Sequence, residues 1–288
     1  MTGILAILGP GVLGRSTAQW AAECGLEVRL LGRDRAHAEA ARLAIQRRWE
    51  EAAAKGQPEA GLSTAALGRL TAHPFEAGSL EGVDLLLEAL PEDMDAKVPG
   101  LASAGRWGSR ELAILSGTSA LPISALAQRS GLTGRLVGFH LFVPVPRMAV
   151  VEMAVAPGTA SPWVDRARAL GLCLGKRVVQ VRDQPGFAAS RMALAQGLEA
   201  MRLLEAGVAT AEDLDALMTL GYGHPVGPLE LSDRVGLDLR LRIAEGLAAA
   251  GEARFQPPES LRGLVAAGSA GRKARRGFHA WDERGRRT

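Results

Sequence analysis

Two cysteines in 288 residues, Cys24 and Cys173, are too few and too widely spaced for a disulfide framework, and they show no metal or redox spacing. Lysine is nearly missing, with Lys55, Lys97, Lys176 and Lys273 the only four. The formal charge is only +3, so the pI near 9.2 reflects an arginine excess and not a basic stripe. No nucleic-acid partner is expected. The one basic cluster, "GRKARRGFHAWDERGRRT", is broken by Phe278, Trp281 and two acids. The five histidines are scattered without HExxH or a Cys/His box, so no metal is expected. No apolar run approaches the roughly 20 residues of a membrane span. The opening "MTGILAILGP" runs straight into a strand and a glycine turn, which does not read as a signal peptide. A soluble, cytoplasmic, metal-independent protein is expected.

The length allows two domains with ample core, and 47% apolar with 23% charged residues is ordinary for a globular chain. "ILAIL" (4–8) reads as a strand, and the stretch after it spaces Leu13, Thr17, Ala18, Ala21 and Ala22 on one helical face before stopping at Gly25. "EVRLL" (27–31) follows, then an exposed helix over 34–56 that ends near "KGQPEAG". Further strands are expected at "VDLLLEAL", "ELAILS", "RLVGFH", "VVEMAVA" and "RVVQVRD". Near-continuous apolar strands alternating with helices point to a mostly parallel, Rossmann-type sheet covered on both faces. Beyond "VRDQPGF" the chain becomes helical and nearly strandless, and Thr210 before Glu212 and Asp213 marks one helix start. The expected organisation is an α/β domain over 1–183 and an all-α domain over 184–288.

Gly9, Gly11 and Gly14 in "GPGVLG" satisfy G-x-G-x-x-G directly after a strand and at the head of a helix. That context calls for a dinucleotide, with a tight turn, close approach to a pyrophosphate and a helix N-terminus facing it. About 20 residues on, an acid ordinarily meets the adenosine ribose. Here "EVRLLGRDR" has Gly32 in that place, followed by Arg33, Asp34 and Arg35. Without the carboxylate, Arg33 is free to pair with a 2′-phosphate, so the cofactor is NAD with NADP open. Alternatively Asp34 reaches back to the ribose, or the acid is dispensable.

His140 ends one buried-looking run and Glu152 sits inside the next. A lone buried carboxylate costs several kcal/mol unless paired. The nearest group in sequence that titrates near neutral pH is His140. Read alone, a strand-end histidine also fits a hydrogen-bonded core residue.

The segments "GPGVLG", "LLLEALPEDMDAK", "SGTSAL", "GFHLFVPVP", "VVEMAV", "DQPGFAASR", "GHPVGPLELSDRVGLD" and "GRKARRGFHAW" run in order along the chain. In them the sequence resembles the short-chain L-3-hydroxyacyl-CoA (3-hydroxybutyryl-CoA) dehydrogenases over nearly its whole length. The resemblance implies hydride exchange between NAD(P) and a 3-hydroxyacyl-CoA/3-ketoacyl-CoA pair, a role in fatty acid metabolism. His140 would be the acid/base, Glu152 its carboxylate partner and Ser119 a serine facing substrate and cofactor. Glu92 and Lys97 would lie by the nicotinamide ribose. It also implies a homodimer formed through the C-terminal domain, which would close the cleft.

Departures from the family pattern are visible. Its H-F-F-N-P asparagine falls on Val143, its P-G-F-x-x-N-R asparagine on Ser190, and the first residue of its N-T-S segment on Gly117. Ser190 keeps a donor and an acceptor on the catalytic side, whereas Val143 and Gly117 offer neither. A changed substrate, such as a free hydroxy acid of the gulonate or carnitine kind, fits these losses. So does a dinucleotide-binding protein with weak turnover. Arg42, Arg47, Arg48 and Lys55 on the exposed arm could meet CoA phosphates or form an ordinary solvated face. His224, between glycine and proline turns, reads as structural.

Overall fold

A computed structural model describes residues 3–55 and 65–288. The chain divides into two compact units, Met1–Phe187 and Ala188–Thr288, against an expected boundary near Asp183. Asp183 is held within the first unit. Its carboxylate accepts the Ile123 and Ser124 N–H groups at 2.7 and 2.8 Å, and its own N–H donates to Val155 O. Gly186 N donates to Ala120 O, and Phe187 packs into the same core.

The first unit is built on one eight-stranded sheet of order β3-β2-β1-β4-β5-β6-β7-β8. The strands are β1 Ile4–Leu8, β2 Glu27–Gly32, β3 Leu70–Pro74, β4 Val83–Glu88, β5 Ala113–Ser116, β6 Leu136–Leu141, β7 Val150–Val155 and β8 Arg177–Arg182. β3, at one edge, was not expected. Its "LTAHP" carries a histidine and a proline and lacks the apolar run that marks the others. A proline at the end of an edge strand removes no ladder bond that the sheet needs.

Every neighbouring pair is parallel except β6–β7, which is antiparallel. A wholly parallel reading would need a crossover of roughly a dozen residues there, which the loop 142–149 does not supply. Side chains alternate between two cores as the strand period requires. Leu5 and Ile7 join one cluster, covered by helices α1 (Val12–Glu23), α2 (Arg35–Ala54) and, beyond the sheet centre, α5 (Ser161–Cys173). Ala6 and Leu8 join the other, under α3 (Met94–Trp107) and α4 (Ile123–Ser130). α2 is less exposed than its composition suggests, because Ala38, Ala41, Ile45 and Trp49 bury one stripe of it. Its continuation past Lys55, in "KGQPEAG", lies outside the described residues.

The second unit contains α6 (Ala189–Glu205), α7 (Ala211–Ala216), α8 (Pro228–Val235), α9 (Leu237–Ala249) and α10 (Glu259–Ala266). Thr210 caps α7 by accepting from Asp213 N at 3.2 Å, with Glu212 and Asp213 in the first turn. Gly227 precedes α8 because a Cβ there would stand 2.3 Å from Asp215 Cβ. His224 donates its N–H to Met218 O and places Nδ1 3.5 Å from Gln196.

The C-terminal segment is tied down by two buried carboxylates. Asp233 accepts from Phe278 N, His279 N and Trp281 Nε1, at 3.0, 2.9 and 3.0 Å. Asp215 caps α8 through Leu229 N and Glu230 N and pairs with His279 Nε2 at 2.7 Å. Burial pulls the His279 pKa down, but the hydrogen bond and charge of Asp215 outweigh it and the net direction is up. A histidine raised in the folded state stabilises fully below its unfolded pKa, and that contribution fades as pH climbs through the folded value. Denaturant midpoints should therefore drop as pH rises above about 6.5. His279→Gln should flatten this slope, and His279→Ala should cost roughly 1–3 kcal/mol by leaving Asp215 short of a buried partner. A wild-type slope that survives His279→Gln would assign the pH dependence elsewhere.

Candidate active site

Three glycines shape the turn after β1 for three different reasons. Gly9 adopts φ +103°, and a Cβ there would meet Ala89 O at 2.7 Å. A Cβ on Gly14 would stand 2.0 Å from Gly9 O, so the first turn of α1 can lie on the loop only without one. A Cβ on Gly11 would meet nothing within 4 Å: that face is open, as close approach of a phosphate requires. Gly11→Ala should therefore leave stability unchanged while costing about 1–3 kcal/mol of dinucleotide affinity, the range for overpacking. Gly14→Ala should lower stability itself. Thermal melts and nucleotide titrations of the two variants separate these effects, and equal melting losses would refute the distinction.

The chain direction across the sheet reverses between β1 and β4, the switch point at which open α/β sheets bind ligands. A groove of about 570 Å³ opens there, lined by the Gly9–Leu13 turn, Leu31, Arg33, His37, Phe75 and the Ala89–Pro91 segment. The residues present thus fit a dinucleotide. At its far end, a Cβ on Gly32 would stand 2.8 Å from Ala38 N, so α2 packs too closely for any side chain. Asp34 caps α2, its Oδ1 accepting from His37 N at 2.7 Å and its Oδ2 from Arg33 Nε at 3.2 Å. That His37 N–H, with Arg33 beside it, holds the Asp34 carboxyl below the usual carboxylate range.

Lys97 and Glu92 occupy a polar cluster beneath the groove wall. Lys97 Nζ donates to Glu88 Oε1 at 2.8 Å and to Leu90 O at 3.0 Å, and lies 3.5 Å from Glu92 Oε2. Glu88 also accepts from Ser116 Oγ at 2.6 Å and Leu90 N at 2.5 Å. Glu92 Oε1 takes Thr118 Oγ1, Ser119 N and Ala120 N at 2.6, 2.8 and 2.9 Å. Lys97 and Glu88 are 1% and 0% exposed, so the ion pair is internal and sets the course of Leu90–Pro91 and the Ser119 loop. Glu88, Ser116 and Thr118 were not picked out from sequence. The usable signal was an acid and a hydroxyl at the last positions of two otherwise apolar strands.

His140 and Glu152 are direct partners in the β6–β7 register. His140 Nδ1 lies 3.0 Å from Glu152 Oε2, and both side chains are buried. Donation from Nδ1 to an ionised carboxylate, which only accepts, would leave Nε2 as the ring nitrogen not engaged by Glu152. The Phe142 and Phe187 rings lie 4.5 and 6.4 Å from the imidazole. Since β1, β4, β5 and β6 run parallel, the His140 end of β6 lies on the same sheet edge as the glycine turn and Ala89–Pro91.

Of the departing positions, Gly117 has a steric reason. Its N–H donates to Glu88 O at 2.7 Å, and a Cβ would meet that oxygen at 2.8 Å and Leu13 Cδ2 at 2.9 Å. Val143 is 48% exposed in the loop after β6. Ser190 lies in the first turn of α6, in the second unit. On the arm, Arg42 is held by Glu39, whereas Arg47, Arg48 and Lys55 are exposed. Arg48 lines a separate hollow of about 480 Å³ with Trp20, Trp49, Pro144, Pro146 and Arg147. Among the described residues no group of His, Cys, Asp and Glu could hold a metal, and no helix is long and apolar enough to cross a membrane.

Residues 4–184 match the family model described as 3-hydroxyacyl-CoA dehydrogenase, NAD binding domain, and residues 186–281 match the corresponding C-terminal domain. The chain is 33% identical over 282 residues to a probable 3-hydroxybutyryl-CoA dehydrogenase of Bacillus subtilis, covering 97% of this chain and 98% of the relative. It is 34% identical over 280 residues to a 3-hydroxybutyryl-CoA dehydrogenase of Mycobacterium tuberculosis, covering 96% and 98%. A crystal structure of (S)-3-hydroxybutyryl-CoA dehydrogenase from Ralstonia eutropha superposes with TM-score 0.92 at 31% identity, covering 98% of this chain and 100% of that one.

Proposed function

The chain belongs to the 3-hydroxyacyl-CoA dehydrogenase family, and from that premise we propose that His140 and Glu152 handle the proton in hydride exchange between a nicotinamide dinucleotide and a short 3-hydroxyacyl-CoA. The observation that carries this reading is the buried 3.0 Å pair at the sheet edge that also bears the dinucleotide groove. The bound nicotinamide supplies or accepts hydride, chemistry that no side chain here offers. In the oxidative direction His140 Nε2 takes the hydroxyl proton while Glu152 holds the tautomer and offsets the imidazolium charge. In reverse the imidazolium gives that proton to the 3-oxygen.

Gly9, Gly11 and Gly14 would seat the pyrophosphate against α1. Glu92, held by the Ser119 loop, and Lys97 would fix the nicotinamide side of the groove, largely by fixing that loop. Ser119, at the loop's partly exposed turn, would face the reacting thioester. Arg48 and Arg147, exposed on a hollow that Glu23 also lines, suit the phosphates of CoA better than Arg42, which Glu39 already engages. Exposed Met192, Leu217, Leu220 and Tyr222 on the second unit support its use as a homodimer face.

The test is acetoacetyl-CoA reduction followed by loss of reduced-nicotinamide absorbance, with free acetoacetate in parallel. Turnover of the thioester is expected. Turnover of the free acid alone would move the substrate class to hydroxy acids, and binding without turnover of either would mark a protein that no longer catalyses.

A further inference from the structure

We propose that the adenosine end of the groove selects a dinucleotide carrying a 2′-phosphate over one with a free ribose hydroxyl. The inference rests on the dinucleotide reading of that groove and refines it.

The first observation is steric. The position that ordinarily supplies the ribose-binding acid is Gly32, and the backbone of α2 closes over it. Ala38 N would be 2.8 Å from a Cβ, and Ala38 Cα and Cβ would both be 3.1 Å away. No carboxylate can be placed there without moving the helix, so the missing acid is a property of how β2 meets α2.

The second observation concerns the nearest substitute. Asp34 is committed as the N-cap of α2, with one oxygen on His37 N and the other on Arg33 Nε. It does not line the groove, whereas its neighbours Arg33 and His37 do. Among the described residues that line the groove, these two are the only ionisable side chains, and none is an acid. A ribose hydroxyl pair therefore meets no carboxylate acceptor in that lining, and the carboxylate nearest a phosphate on Arg33 is Asp34, whose charge the His37 N–H and Arg33 already offset.

The third observation is availability. The Arg33 side chain is 80% exposed and its partner Asp34 54% exposed. Exposed pairs of this kind contribute little, about 0–1 kcal/mol. Arg33 can thus turn its guanidinium to a phosphate for a two-pronged contact at small loss. His37, in the first turn of α2, adds a second donor from the same side.

The experiment measures binding, not turnover. NADPH and NADH are titrated into the full-length protein by calorimetry, and adenosine 2′,5′-bisphosphate and 5′-AMP are compared as displacers of bound reduced nucleotide. NADPH should bind roughly 10- to 100-fold tighter than NADH, the range for one or two charge-assisted hydrogen bonds. The bisphosphate should outcompete 5′-AMP by a similar factor, and both advantages should shrink as salt is raised. Arg33→Ala should lower NADPH affinity far more than NADH affinity and so erase most of the preference. Because Arg33 is exposed, that variant keeps the fold, which an unchanged melting curve verifies. NADH binding as tightly as NADPH would overturn the inference while leaving the dinucleotide reading intact. A preference that survives Arg33→Ala would overturn the assignment to this residue. Binding of neither nucleotide would refute the dinucleotide reading, and this inference with it.

Discussion

Replacing His140 by Ala is expected to lower kcat for acetoacetyl-CoA reduction by about 10²- to 10⁴-fold, the range typical of a lost general acid. Dinucleotide affinity should stay within about twofold, because imidazole removal touches none of the glycine cradle. His140 and Glu152 face each other across the β6–β7 ladder, which holds Nδ1 3.0 Å from the carboxylate. Glu152→Gln should also depress turnover strongly, since a neutral amide no longer offsets the imidazolium and does not compel the same tautomer. If both variants fail to fold, the pair serves the core. If both fold and retain wild-type turnover, the proton is handled elsewhere.

Lys97→Met is expected to destabilise the first unit by about 3–5 kcal/mol, the usual result of removing one partner of a buried ion pair. For a unit of this size that corresponds to a melting loss on the order of 10 °C. The magnitude follows from what is left behind. Glu88 is wholly enclosed and would keep only Ser116 Oγ and Leu90 N, while Glu92 would lose its nearby cation. Leu90 O would also lose its donor, freeing the Ala89–Pro91 segment that lines the groove, so dinucleotide affinity should fall along with stability. A paired Lys97→Met/Glu88→Gln variant should recover much of the stability, since exchanging both charges removes the uncompensated one. A single variant that melts with the wild type would show that the cluster is not internal in solution.

Much of this arrangement was legible in the order of residues. The glycine turn, the apolar strands and the change to helices past Gly186 all follow from period and punctuation. The candidate pair was legible because a titrating group in an apolar strand needs a partner. What sequence alone did not reveal was the antiparallel step between β6 and β7, although loop 142–149 is too short for a parallel crossover. β3 escaped because an edge strand with one buried face carries little apolar signal. In the sequence, Gly32 and Gly117 show only the loss of side-chain chemistry. Their physical cause is the Ala38 backbone in one case and the Glu88 carbonyl in the other, contacts that depend on distant elements.

The antiparallel ladder also has a consequence for engineering. A pair aligned by main-chain pairing does not depend on the composition of the loop that joins its strands. Exposed Val143 can therefore be recoded while His140 and Glu152 stay in register, whereas Val145, in the same loop, is buried and its main chain is held by Ser16 and Lys176. A single residue inserted within β6 or β7 is a different matter: it rotates everything beyond it to the opposite face of the sheet. Tolerance to mutation should accordingly be high at Val143 and low at Val145, and deletions or insertions within β6 or β7 should be lethal.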